Sequence, residues 1–477
     1  MRTTLRRSCD ACAKSKLSCD LRTPQCSRCI KRKSACVYAN QPLTSSLSEH
    51  TTTTSPGTYA ESNEEALKIV ASPIKLLRDP IAGFFDPFDS YPETRLPRIH
   101  VQRLIQHFLS NIAFQYYPLD LNLSSNPFVV SWWPLALADP ALFHVSLQTA
   151  SLDIELHAQN GFENSELLMA DSVSLVRKRI EDPTLAFQDE TMDSVVTLAA
   201  IEFGKGNVEV GKMHIDGIKR MVRMRGGMQK VKMTSPLTAR MVSWVSMIVM
   251  QSPQFLAQSD SGVGNGIPPI PQWNEAATSF GDDPKSSIHQ LELDPTIGDI
   301  LFRLRHLFHE SQRFRLSNTD LHDLTCYLLH RLLLWSPPSE EFQISLDPAA
   351  SECVRYAVVL YLLILQGPTY FSHTGLQYTM SQRLKVHLAD FLNLPLPEHR
   401  TLALWLVAVG MTSSAETSDS AWFISQARVL AADLDLCTWD AVLCHLKDVL
   451  WLDTKHTEYL FRQQWEEMWT YRDMIAT

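Results

Sequence analysis

Six cysteines fall within 28 residues near the N-terminus, at Cys9, Cys12, Cys19, Cys26, Cys29 and Cys36. They spell C-x2-C-x6-C twice with six residues between, so one unit is written two times in register. Thiolates are soft ligands, and a C-x2-C pair lets a single turn of backbone present two sulfurs to one zinc ion. A structural zinc takes four ligands in a tetrahedron, whereas each unit supplies three. Two ions need eight ligand positions, a demand that six thiolates meet when two of them bridge both metals. The repeat restricts the bridging pair to Cys9 with Cys26, Cys12 with Cys29, or Cys19 with Cys36, and spacing alone does not choose among them. A disulfide framework would need an oxidising compartment. An iron–sulfur cluster would use four cysteines and not a doubled three.

Charge follows the same division. Residues 1–40 hold ten Lys or Arg against Asp10 and Asp20, a net +8, while the whole chain carries -9, so the other 437 residues sum to -17. A compact basic head on an acidic body predicts a polyanionic partner for the head, and double-stranded DNA is the expected one. Lys14 and Lys16 lie between the second and third cysteines. There a short helix entering a major groove would offer a donor to guanine O6 and N7. Arg6 and Arg7 ahead of the first unit, with Arg28, Lys31, Arg32 and Lys33 in the second, are expected phosphate contacts that set register. Ionising six thiols and binding two Zn²⁺ lowers the head only from +8 to +6. Lys31-Arg32-Lys33 also suits a nuclear import signal.

The stretch SCDACAKSKLSCDLRTPQCSRCIKRKSACVYAN resembles the fungal binuclear zinc cluster (Zn₂Cys₆) of DNA-binding transcription regulators. The likeness rests on all six cysteines, Asp10, Lys16 and Pro24. It implies that Cys9 and Cys26 bridge the two ions, that a short helix follows each C-x2-C, and that Lys16 reaches the base edges of a CGG-like triplet. Where the family often has Arg or Lys, this chain has Ala13, Ser15 and Ser18. Fewer cations near the groove predict weaker binding by one isolated head, which a partner or second head would offset.

Composition bounds the rest. With 45% hydrophobic and 20% charged residues over 477 positions, the chain has material for two or three folded units. Its 17 Gly and 26 Pro without a G-X-Y period exclude a collagen-like chain. The longest uninterrupted apolar run, Tyr356 to Leu365, is ten residues, short of the ~20 a helix needs to cross a bilayer, so no membrane span is expected. The N-terminal MRTTLRRSCD has basic residues but no apolar stretch behind them, so neither a secretory signal nor a membrane anchor is readable. A soluble, intracellular protein working in the nucleus is expected.

Three domains are read: a zinc cluster over residues 1–40, a linker over 41–63 and an all-α regulatory body over 64–477, making the chain mainly all-α. The linker has 11 Ser or Thr among 23 residues and little that could anchor a fold, so flexibility is expected. Leu43 and Leu47 cannot supply the heptads of a coiled coil. The head therefore acts alone, or dimerisation falls to the helical body. In that body Val101, Leu104, Ile105, Phe108, Leu109 and Ile112 form the stripe of an amphipathic helix. Asp139-Pro140 is an N-cap with Pro at the first helical position, opening a helix through Phe143 and Leu147 toward Leu156. Helices are likewise expected over Ser165–Ile180, Leu384–Leu392, Thr401–Val409, Ala421–Leu434 and Tyr459–Met474.

The stretch Asp193 to Gly227 predicts one helix to Phe203, a Gly-Lys-Gly-Asn turn, and a second helix capped by Gly226-Gly227. Gly211 and Gly217 are expected to let these helices approach closely. The arrangement is similar to the helical regulatory domain that follows the zinc cluster in one branch of the same fungal family. Gly206, Gly211, His214, Gly217 and Arg225-Gly226-Gly227 carry that likeness. His214 is read as a packing residue, because no second metal ligand lies near it. His306 and His309 lack a third ligand and are read as a solvated or partly buried pair. Gly262 to Gly266 precedes Ile267-Pro268-Pro269 and is read as a loop, not a phosphate cradle. Trp451, Tyr459, Phe461, Trp465, Trp469 and Tyr471 recur at helical spacing and are assigned to core.

These features predict a sequence-specific regulator of RNA polymerase II transcription, holding two structural zinc ions and working with the transcription machinery or co-regulators. The body's compactness is reminiscent of regulators dedicated to one biosynthetic or catabolic pathway. The alternative is an adaptor or corepressor whose cluster no longer selects a sequence. An enzyme is not expected, since no nucleophile elbow, H-E-x-x-H or phosphate loop is present.

Overall fold

The computed structural model describes residues 10–15, 27–34, 91–159, 161–260, 262–278, 293–336, 348–393 and 399–475. Two short helices lie in the head, α1 (Asp10–Lys14) and α2 (Ser27–Arg32), and they pack against each other. The expected linker falls outside the described residues. The described body is helical throughout; among its residues the sole β-pairing is an isolated bridge between Ala257 and Ile267. The chain divides into two compact units, Met1–Met250 with Thr369–Ser372, and Gln251–Pro368 with His373–Thr477.

The body part of the first unit opens with α3 (Arg98–His107), which passes through a π-helical turn, Phe108–Ile112, into α4 (Ala113–Tyr116). The expected stripe is buried at Val101, Leu104, Phe108, Leu109 and Ile112, with Ile105 half-buried, and its last turn is widened. A second π turn, Phe128–Trp132, leads into α5 (Trp133–Ala138). Phe108 meets Trp133 at 5.2 Å between ring centroids, and Tyr116 meets Phe128 at 4.9 Å. Then follow α6 (Pro140–Ala158), α7 (Glu163–Glu181), α8 (Asp189–Gly204), α9 (Val208–Met224), α10 (Met228–Thr234) and α11 (Pro236–Met250). The Leu142 backbone N–H donates to Asp139 Oδ1 at 2.9 Å, so the expected cap of α6 is formed. Residues Ala141 to Asp153 of α6 and Thr191 to Ile201 of α8 are buried on every side. Helices α3, α5, α7, α9 and α11 pack against one or both of that pair.

The second unit holds α12 (Pro271–Thr278), α13 (Pro295–His309), α14 (Ser311–Phe314), α15 (Asn318–Leu334), α16 (Pro348–Gln366), α17 (Thr374–Phe391), α18 (Arg400–Ser413), α19 (Ser420–Asp433), α20 (Trp439–Val449) and α21 (Lys455–Ile475). Its centre is α16 and α18. The apolar run from Tyr356 belongs to a helix whose 18-residue window Ala349–Gln366 is long and apolar enough to cross a membrane. The ten-residue apolar run thus lies within a longer, mostly apolar helix. However, 89% of the window is buried inside the fold, and it carries Arg355. The Arg355 guanidinium lies over the Tyr356 ring at 4.3 Å and donates to the Leu332 and Trp335 carbonyls at 3.2 Å each. A charge satisfied by this fold's own aromatic rings and carbonyls identifies α16 as a core helix.

Candidate metal and nucleic-acid site

The repeat in the cysteines is carried into the backbone. Helices α1 and α2 start one residue after Cys9 and Cys26, so they stand at equivalent places in the two units. Both are far shorter than the ~12–15 residues at which an isolated helix becomes marginal, so something outside the backbone must hold them. Cys12 and Cys29, the second cysteine of each C-x2-C, sit on these helices and are each 2% exposed. Lys14 at the end of α1 and its repeat partner Lys31 on α2 point outward. Each half thus buries a thiol and shows a cation from one turn of helix.

The end of α2 is tightly closed. Lys33 adopts the left-handed conformation with φ of 49°. The Ser34 N–H donates to the Cys29 carbonyl at 3.1 Å and the Lys33 N–H to the Ile30 carbonyl at 3.2 Å, the paired bonds of a Schellman cap. Arg32 and Lys33 are exposed beside Lys31, while Arg28 is half-buried. Four exposed or half-exposed cations on one short helix and its cap form a surface suited to phosphate oxygens. The sequence-expected Cys9, Cys19, Cys26, Cys36, Lys16, Arg6 and Arg7 lie outside the described residues, so the structure brings together Cys12, Cys29 and the α1 and α2 cations alone.

The residues present fit zinc. Two buried sulfurs on paired helices, drawn from a set of six thiols, match the soft donors of a structural zinc site. Bound there, the metal would supply folding energy that so small a head cannot obtain by burial. Among the described residues no group of three His, Cys, Asp or Glu is placed to hold a metal ion.

In the body, the stretch Asp193 to Gly227 forms the turn and cap read from its sequence. Gly206 has φ of 79°, and the Gly227 N–H donates to the Val222 carbonyl at 2.9 Å beyond α9. A Cβ on Gly211 would stand 3.2 Å from the Ala199 carbonyl oxygen of α8, so this glycine does set the close approach. Gly217 does not: nothing lies within 4 Å of its would-be Cβ, because it sits on the outer side of α9. Arg225 pairs with Asp189, and Asp189 also accepts from the Ser235 hydroxyl, so the cap locks three helix ends together. Burial lowers the pKa of His214, with Glu202 opposing, as befits a packing residue.

The other candidates separate on inspection. His309 Nε2 lies 3.0 Å from the Lys447 carbonyl, and the His306 ring meets Phe314 edge-on at 5.3 Å, so the two histidines have different partners. Gly264 lies in a loop closed by the Gln258 side-chain amide donating to its carbonyl at 2.6 Å. Trp451, Phe461 and Trp465 are buried and Trp469 is half-buried, but Tyr459 is 51% exposed on the outer stripe of α21, which corrects its assignment to core. The Tyr471 side chain lies outside the described residues.

A feature that the charge division passes over is a basic stretch inside the acidic body. Residues 212–240 hold eight Lys or Arg against Asp216, a net +7. A running charge count along the sequence, instead of a sum over the body, would have found it.

Comparison with known families agrees with this geometry. Residues 7–45 match the fungal Zn(2)-Cys(6) binuclear cluster domain, and residues 103–428 match the fungal specific transcription factor domain. No curated protein and no solved structure matches the chain. The two matched regions take in both the cysteine head and the helical body, and neither family is enzymatic. The chain belongs to the fungal specific transcription factor domain family and is a zinc-binding, DNA-binding transcription regulator.

Proposed function

We propose that this regulator selects CGG-like triplets and controls RNA polymerase II genes from the nucleus, through two zinc ions held by Cys9, Cys12, Cys19, Cys26, Cys29 and Cys36. The observation that carries the reading is the pair of buried cysteines at equivalent places on α1 and α2, each with a lysine at the outer end of its turn. In this reading Cys9 and Cys26 bridge the metals. Lys16, helped by Lys14, donates to guanine O6 and N7. Arg6, Arg7, Arg28, Lys31, Arg32 and Lys33 hold phosphates and fix register. Residues 1–40 form the reader, 41–63 the linker and 64–477 the regulatory body, which joins two copies and receives co-regulators. The target genes form a metabolic or biosynthetic set.

An adaptor reading draws on Ala13, Ser15 and Ser18, which leave the first unit with fewer cations for base edges. The experiment is to purify the full chain, count zinc per chain, and select bound sequences from a random duplex pool at fixed salt. Two zinc ions with an enriched CGG triplet support the reader. Two zinc ions without enrichment support the adaptor, and absence of zinc refutes both.

A further inference from the structure

Helix α9 buries Gly211, Ile215, Ile218, Met221 and Val222 against the body. Its outward stripe and the next helix, α10, fall in the basic stretch, whose net +7 stands against -17 for the 437 residues beyond the head. Arg220, Arg223 and Lys230 are exposed there. Between them the face shows methionines: Met213 is 63%, Met224 70% and Met233 72% exposed. Methionine is among the residues most often buried, and here three lie exposed within 21 residues on consecutive helices. Its unbranched thioether adapts to apolar partners of varied shape, which is why it recurs on peptide-binding surfaces. Cations interleaved with adaptable apolar side chains are the complement of a segment carrying carboxylates on one side and apolar residues on the other.

We propose that the outer face of α9 and α10 docks an acidic amphipathic peptide segment of a partner protein. Its apolar side chains would lie on Met213, Met224 and Met233, and its carboxylates would reach Arg220, Arg223 and Lys230. Charge complementarity selects this occupant. A second copy of the chain meeting the same patch about a two-fold axis would set cations against cations. A DNA backbone would satisfy the cations but leave the methionines against phosphate, so the apolar half of the face favours peptide. The inference goes beyond the function proposed above, because it concerns the body and holds whatever base preference the head has.

The test uses the full-length, zinc-loaded chain and a fluorescent synthetic peptide of about 16 residues, with Leu or Phe at i, i+3, i+4 and i+7 and Asp or Glu elsewhere. A peptide of the same composition in scrambled order is the control. Anisotropy is expected to show saturable binding below about 100 μM, with the scramble at least about tenfold weaker. Arg220→Glu with Arg223→Glu is expected to weaken binding at least about tenfold, and Met213→Ser with Met224→Ser by a similar factor. Arg462→Glu, on the exposed side of α21, is expected to leave it unchanged. Equal binding of the two peptides, or none by either, overturns the proposal. So does a charge reversal that weakens duplex DNA binding by the full chain while peptide binding is unaffected, which would assign the face to phosphate.

Discussion

Among the described head residues Cys12 and Cys29 are the buried ones, so their removal should be felt as unfolding. Cys12→Ala is expected to release metal, and specific DNA affinity should drop toward the non-specific level, on the order of a thousandfold. Zinc per chain and a duplex titration at one salt concentration check both. In the body, two buried titratable groups pull stability in opposite directions. Burial pushes the Asp193 carboxyl well above 3.8, against a single hydrogen bond from the Thr238 hydroxyl. The folded state then holds a proton that the unfolded chain releases, so this contribution is complete below pH 3.8 and is lost as pH rises through the folded pKa. Burial lowers His330 from 6.5 to about 4, with the Cys326 carbonyl opposing. Its contribution is complete above pH 6.5 and is lost as pH falls toward about 4. Asp193→Asn is therefore expected to stabilise the fold near neutrality, a gain that vanishes in acid. His330→Phe is expected to flatten the acid limb. Urea midpoints across this pH range separate the two, and a neutral-pH loss in Asp193→Asn would contradict the assignment.

At the scale of elements, glycines that look alike in sequence behave differently. A Cβ on Gly410 of α18 would fall 2.1 Å from the Phe423 ring of α19, and one on Gly217 would meet nothing within 4 Å. Gly410→Ala is expected to cost about 1–3 kcal/mol by overpacking, whereas Gly217→Ala is expected to gain about 0.5–1 kcal/mol from helix propensity. Thermal unfolding of the two variants should move in opposite directions. The contrast also marks what was legible beforehand. Helix spacing, the Asp139 cap and the Gly226-Gly227 stop are local signals, and each was readable because the chemistry of a helix end lies within a few residues. Which side of α9 meets α8 is a packing fact, so Gly211 and Gly217 could not be told apart. The π turns at Phe108–Ile112 and Phe128–Trp132 were hidden for the same reason: they arise where aromatic side chains from distant helices must fit. In the head, cysteine spacing announced the metal chemistry, but burial of Cys12 beside an outward Lys14 needed the fold.

Across the whole molecule, the opposed charges of head and body make binding depend on salt in a way that reports its contacts. If six Arg or Lys of the head each neutralise a phosphate, log K should fall against log salt with a slope near about -5, and each Ala substitution should reduce it by about 1. A slope that ignores these substitutions would reject them as contacts. The division into units has another consequence, for anyone who cuts the gene. Thr369–Ser372 lies far along the chain, yet it packs within the first unit: the Tyr370 N–H donates to the Gln115 carbonyl at 2.8 Å, and Phe371 meets Tyr116 at 5.2 Å. The first unit is therefore not a contiguous stretch of sequence. A fragment ending at Met250 would uncover the side of the Tyr116 ring that Tyr370 and Phe371 cover and is expected to aggregate, whereas nicking the intact protein between Met250 and Gln251 should leave a stable, co-purifying pair. Deletion series that stop between the two units would then report loss of function where they have only removed a four-residue plug.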